Sequence, residues 1–250
     1  MRASLCIALC LIAAPALAQE KLSGTNVDTR LGFAFKAPDA AVQKMIPAGW
    51  ELNSPTSGPN RGANLNLSVV DQVTSQDAEG KALTPYRGVA VTIPVKRKGS
   101  ADGGPMVVAG LFAPGGAPGA YGVFLPAKVV VERKLRTDPE GKTSVEETWQ
   151  LRSDDGHSMD IHVNYVRGGV ARTKLEAKVY SGAKPDFFRI YRVEQATDVA
   201  RSTATGVDRV SSVSVKMSGQ KLAPLFDGSE QLISVTSIPW YSRQVFLPGL

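Results

Sequence analysis

Met159, Ile161, Val163 and Tyr165 alternate without interruption with Asp160, His162 and Asn164. Period two places the two sets on opposite faces of a pleated strand, and a slip of one residue would reverse every side chain, so the pattern specifies both element and register. The same rhythm recurs in Leu65, Leu67 and Val69 against Asn64, Asn66 and Ser68, and again in Val89, Val91, Ile93 and Val95. A chain built this way is mainly β.

In chain order, Leu31–Phe35 reads as a short first strand after a polar leader. A short helix is expected over 38–46, with Pro38 and Asp39 at its entry and Val42, Met45 and Ile46 at helical spacing. Trp50 is expected to plug one end of a sheet. Met106 to Phe112 is apolar on both faces and reads as a central strand, followed by a loop from Pro114 to Gly119. The pattern then predicts one strand from Phe124 to Leu135 and an antiparallel meander over 145–151, 159–165 and 175–179, turning at Asp154-Asp-Gly156 and Arg167-Gly-Gly169. Further strands are expected at 187–193, 207–217, 232–238 and 243–247, with a helical turn near Leu222–Phe226. No internal repeat and no long linker divides the chain, so the spacing predicts one closed or nearly closed sheet.

Residues 1–18 have the form of a secretory leader: Arg2, an apolar stretch from Leu5 to Leu11, and Ala16-Leu17-Ala18 before Gln19. The remainder, 19–250, is expected to be one domain, periplasmic or secreted, with no transmembrane segment. Both cysteines, Cys6 and Cys10, lie in the leader. The mature chain therefore lacks disulfides, thiolate metal sites and cysteine nucleophiles. The net charge of +6 is modest, and the basic clusters Lys96-Arg97-Lys98 and Arg133-Lys134-x-Arg136 have no interleaved aromatics, which argues against nucleic acid as a partner.

His157 and His162 are the only histidines and face opposite ways in an extended segment, so they do not form a metal pair; no metal or other cofactor is expected. No G-x-S-x-G elbow occurs. Glu146-Glu147 point to opposite faces and Asp154-Asp155 fill a turn, so neither is a persuasive acid pair. Trp149, Trp240, Tyr165, Tyr191 and Tyr241 read as core or cavity wall.

Lys128 is the remaining candidate for chemistry. It follows Pro126-Ala127 at the mouth of a strongly β-forming run, and a lysine that is desolvated or set beside another cation can attack a carbonyl. Strand parity leaves two placements open. Lys128, Val130, Glu132, Lys134 and Arg136 share a face that is either solvent-exposed or the polar lumen of a barrel.

Three segments, Val42 to Leu52, Leu83-Thr-Pro-Tyr-Arg-Gly-Val-Ala-Val-Thr-Ile-Pro-Val95 and Gly122-Val-Phe-Leu-Pro-Ala-Lys128, together resemble the acetoacetate decarboxylase superfamily. That family carries a leucine-proline-glycine segment, a proline-tyrosine-x-glutamate strand start and a glycine-x-proline-lysine-lysine element in the same order. The resemblance implies a single antiparallel β-barrel or cone with one or two short helices and an internal apolar cavity for a small oxo-acid or other carbonyl compound. It further implies Schiff-base carboxy-lyase chemistry, here on Lys128, with Arg87, Tyr86, Tyr121 and Glu132 around the substrate. The motif departs from the family at two positions: Ala127 stands where the imine-forming lysine is usual, and Gly88 where the glutamate is usual. Tyr121, Glu132 and Arg87 are the candidates for the missing glutamate's place. The competing reading is a non-enzymatic binding barrel of the cell envelope, and homo-oligomers are compatible with either. A third reading is an envelope protein that meets a partner or an anionic surface through its basic strand ends.

Overall fold

A computed structural model describes residues 19–220 and 222–249; the expected leader, 1–18, lies outside them. Most of the chain forms two β-sheets.

The larger sheet closes on itself. Around the ring run β4 (Arg87–Arg97), β3 (Leu65–Asp77), β1 (Lys21–Lys36), β14 (Gln231–Leu247), β11 (Phe188–Ser202), β10 (Ala171–Ser181) and β5 (Gly103–Phe112), and β5 pairs back onto β4. Closure removes the free edges that an open sheet would carry. Neighbours are antiparallel except β10 and β5, which meet in parallel at Tyr180–Met106 and Ser181–Val107. Three short strands attach to this ring: β2 (Trp50–Leu52) to β4, β6 (Phe124–Pro126) to β5, and β12 (Val207–Asp208) to β11. The second sheet is antiparallel, in the order β13 (Val210–Ser218), β9 (Ser158–Val166), β8 (Thr143–Arg152), β7 (Lys128–Thr137).

Alternation builds the main core between the two sheets. Leu65, Leu67 and Val69 of β3 and Val89, Val91 and Ile93 of β4 join Trp149, Leu151, Ile161 and Val163 of the outer sheet in one buried cluster. The intervening residues of β3 and β4, among them Ser68, Val70, Ala90 and Thr92, face the barrel interior instead. Arg133 ties the sheets at the side, donating to Asp71 of the barrel at 2.5 Å and to Glu147 of β8 at 2.8 Å.

The expected helix is present as α1 (Asp39–Gln43), shorter than its apolar pattern suggested. Its entry is held by Asn64, which is fully buried: its side chain accepts from the Ala37 N–H at 2.9 Å and donates to the Ala37 carbonyl and to Asp39, both at 2.7 Å. Trp50 is buried as expected, with Tyr180 against it at 4.6 Å between ring centroids.

Several boundaries differ from the sequence reading for physical reasons. The polar stretch before Leu31 is part of β1, because its inward polar side chains meet a polar lumen rather than solvent. The run from Phe124 to Leu135 divides at Ala127. Pro126 has no N–H, Ala127 donates to the Phe112 carbonyl at 2.8 Å, and the chain then leaves the barrel for the outer sheet. The third run of the expected meander, β10, belongs to the barrel, and β13 takes its place beside β9. The last two expected strands are one, β14, which accommodates Pro239 at a register shift opposite Asp28 and Arg30. No described helix is long and apolar enough to cross a membrane.

Candidate functional site

The barrel encloses a cavity of about 310 Å³. Because the ring order is known, its wall can be read strand by strand. One arc, from β3 through β4 and β5 to β10, contributes mainly small and apolar side chains, including Val70, Ala90, Val107 and Val179. Phe112 and Phe124 extend this arc, 4.3 Å apart between ring centroids. The opposite arc, β11, β14 and β1, is cationic and phenolic: Arg189, Tyr191, Tyr241, Arg243 and Arg30.

The polar arc is a connected network. Arg243 donates through Nε to the Asn26 side-chain oxygen at 2.9 Å, and the Asn26 amide donates to Asp28 at 2.5 Å. Arg30 donates through Nε to the other Asp28 oxygen at 2.9 Å. Asp28 is fully buried, and its charge is compensated by these contacts. The guanidinium of Arg30 lies 3.5 Å from the ring centre of Tyr241, and that of Arg243 4.3 Å from the ring centre of Tyr191. Burial works against the charge of Arg243, but Tyr191, Tyr241 and Asp28 more than offset it, so the guanidinium stays protonated.

Tyr121 reaches this arc from the loop before β6. Its hydroxyl is 2.5 Å from that of Tyr191, and its backbone carbonyl accepts from the Ser181 hydroxyl at 2.7 Å. Burial, followed by the neighbouring Tyr191, pushes the Tyr121 phenol well above the usual tyrosine range, while Arg243 and Arg189 pull the other way. Tyr121 is therefore a neutral donor or acceptor at ordinary pH. Arg189 differs from the other two arginines. It makes no hydrogen bond or ion pair with any described side chain, and its Nε is buried without a partner.

The residues singled out from sequence separate into two groups. Tyr86 and Tyr121 line the cavity, with Tyr86 packed edge-on against Phe112 at 5.6 Å. Lys128, Arg87 and Glu132 do not. Lys128 is exposed at the start of β7, paired with Arg152 across the outer sheet, so parity turned it to solvent. Arg87 is 54 % exposed and forms an ion pair with Asp71 at 2.7 Å outside the barrel. Glu132 is exposed on β7 opposite Thr148. The imine expectation required an inward lysine, and none of the residues lining this cavity is a lysine.

The two motif departures have structural counterparts. Ala127 is buried in the core between the sheets, so the residue that its segment sends into the cavity is Phe124. A Cβ at Gly88 would lie 2.4 Å from the Phe112 ring and 2.5 Å from the Leu111 carbonyl oxygen. Phe112 thus occupies the space a side chain at position 88 would need.

Sequence reasoning missed Arg30, Arg189 and Arg243. Arg189-Ile190-Tyr191-Arg192-Val193 and Tyr241-Ser242-Arg243 alternate at period two, but alternation alone does not distinguish a wet outer face from a polar lumen. Among the described residues there is no cluster of metal-ligating side chains.

No protein-family model matches this chain, and no curated protein sequence does. Solved structures do match. The enduracididine biosynthesis enzyme MppR, complexed with the condensation product of pyruvate and imidazole 4-carboxaldehyde, shares 8 % identity over 93 % of this chain and 90 % of its own, with a TM-score of 0.55. An acetoacetate decarboxylase-like enzyme from Sphingomonas wittichii RW1 shares 9 % identity over 96 % of this chain and 97 % of its own, with a TM-score of 0.52. The fold is acetoacetate decarboxylase-like. The likeness covers nearly the full length of each partner, so the acetoacetate decarboxylase-like barrel here includes both the closed ring and the outer sheet. At such low identity it describes architecture, and the chemistry of the site rests on the side chains above.

Proposed function

We propose that this acetoacetate decarboxylase-like barrel binds a small carboxylate-bearing compound, an oxo-acid among the candidates, through ionic and hydrogen-bond contacts and without forming an imine. The observation that carries this reading is the composition of the cavity wall: three arginines, no lining carboxylate and no lining lysine. Asp28 beneath the wall balances part of that charge, which leaves the lumen net cationic and suited to an anion. MppR, of the same fold, is described in complex with pyruvate, which supports a carboxylate in a barrel of this type.

Carboxy-lyase chemistry on Lys128 is the less favoured reading, since the lysine is exposed on the outer sheet. The two separate in one experiment. The purified protein is incubated with pyruvate or acetoacetate, treated with borohydride and weighed intact, while a parallel sample is titrated calorimetrically. Binding heat without a mass adduct supports the non-covalent reading. An adduct mapped to Lys128 overturns it.

Export is part of the same proposal. The leader-like residues 1–18 motivate it, and the N-terminal mass of protein recovered from an exporting host tests it. A chain beginning at Gln19 is expected; an intact Met1 in that fraction would remove the proposal.

A further inference from the structure

We infer that the ligand is a monocarboxylate with an apolar body about the size of an aromatic ring, anchored by Arg189. This deepens the carboxylate reading above and rests on it. Two independent features carry it, the one cavity arginine left without a side-chain partner among the described residues and the size and polarity of the space before it.

Of the three cavity arginines, two are already engaged. Arg30 is paired with Asp28 and stacked on Tyr241; Arg243 donates to Asn26 and is stacked on Tyr191. Among the described residues Arg189 has no such partner, and its buried Nε is left unsatisfied. A buried donor without an acceptor is costly, and a carboxylate facing a guanidinium satisfies two donors at once. One uncommitted guanidinium calls for one carboxylate.

The register places Arg189 at the seam between the two arcs. It pairs with Val179 of β10, which lines the apolar arc, while Tyr191, two residues on, lies in the polar one. A carboxylate held at Arg189 therefore has its remainder directed along Val179, Val107, Phe112 and Phe124. Volume sets the size of that remainder. At about 30 Å³ per water, a cavity of about 310 Å³ has room for at least about ten water molecules or a comparable number of ligand heavy atoms. A pyruvate-sized oxo-acid would fill at most about half of it and leave water against apolar wall. A ring-bearing acid covers more of that wall.

The test is a calorimetric series on the purified protein with cinnamate, cinnamamide, pyruvate and succinate. Cinnamate is expected to bind at least tenfold more tightly than pyruvate or succinate, and about tenfold or more tightly than the amide. The Arg189→Gln variant is expected to lose about tenfold or more for cinnamate while retaining its circular dichroism and melting temperature. Ala90→Leu, which fills the apolar arc, is expected to weaken cinnamate several-fold more than pyruvate, and equal losses for the two acids overturn the size inference. Pyruvate binding as tightly as cinnamate overturns the size inference and leaves the carboxylate reading standing. Equal binding of cinnamate and its amide, or no binding of any acid, overturns both. Full cinnamate affinity in a folded Arg189→Gln protein overturns the anchor.

Discussion

Tyr121 and Tyr191, 70 residues apart in sequence, place their hydroxyl oxygens 2.5 Å from each other at the wall of the barrel cavity. One hydroxyl comes from a loop and the other from a barrel strand, so this hydrogen bond fixes the loop against the polar arc. Tyr191→Phe should leave the buried Tyr121 hydroxyl without its partner and cost about 1–2 kcal/mol, measured by urea unfolding. Tyr121→Phe should cost a similar amount, and the double variant less than the sum of the two. Additive losses would show that the pair does not act as a unit.

Arg133 bridges Asp71 on the barrel and Glu147 on the outer sheet, and Glu147 also accepts from the Trp149 indole N–H at 3.1 Å. Replacing Arg133 with Met leaves the buried Glu147 without its cation. A loss of about 2–3 kcal/mol is expected in denaturant melts. An unchanged midpoint would mean that this ion pair contributes little to joining the sheets.

Asn64 is fully buried and makes three hydrogen bonds at the entry to α1. Asn64→Ala removes all three and leaves the Ala37 N–H and carbonyl unpaired. The expected loss is about 2–4 kcal/mol by thermal or chemical unfolding, with Asn64→Asp recovering only part of it, since a carboxylate lacks the amide's donors.

Gly88→Ala tests whether Phe112 and Leu111 leave room for a side chain at position 88. Contacts of 2.4 and 2.5 Å to Phe112 and Leu111 predict overpacking of about 1–3 kcal/mol. In a Phe112→Ala background, itself destabilised by the lost buried ring, Gly88→Ala should cost less than it does in the unmodified protein. A neutral Gly88→Ala would show that the Phe112 ring moves aside freely.

Asp102 accepts hydrogen bonds from Lys178 at 3.0 Å and from the Tyr180 hydroxyl at 2.9 Å. The Lys178 contact, with help from Tyr180, holds its carboxyl below the usual range against the opposing effect of burial. A depressed folded value means that the stabilisation is present above the unfolded carboxyl value of about 4 and is lost as pH falls through the folded value. Asp102→Ala should lower the melting temperature by a few degrees at neutral pH, and the gap from the unmodified protein should narrow on acidification. A gap that widens in acid would contradict the assigned direction.

The period-two pattern and the turn residues determine a mainly β fold, because each strand must turn its apolar set towards a core whatever its neighbours are; the expected single closed sheet is instead a closed ring with a second sheet docked on it. Tyr86, inside a segment that carries the superfamily resemblance, and Tyr121, immediately before another, were expected near the substrate, and both line the cavity. Lys128 shows the limit of that reasoning. Its parity was readable, but whether its face was lumen or solvent depended on the chain changing sheets at Ala127. Pro126 hints at that break, whereas the hydrogen bond from Ala127 to Phe112 exists only after folding. Arg30, Arg189 and Arg243 lie far apart in sequence and meet because β1, β14 and β11 are neighbours in the closed ring. Local periodicity determines that each strand has two faces; only barrel closure and the docking of the outer sheet decide which face encloses the cavity.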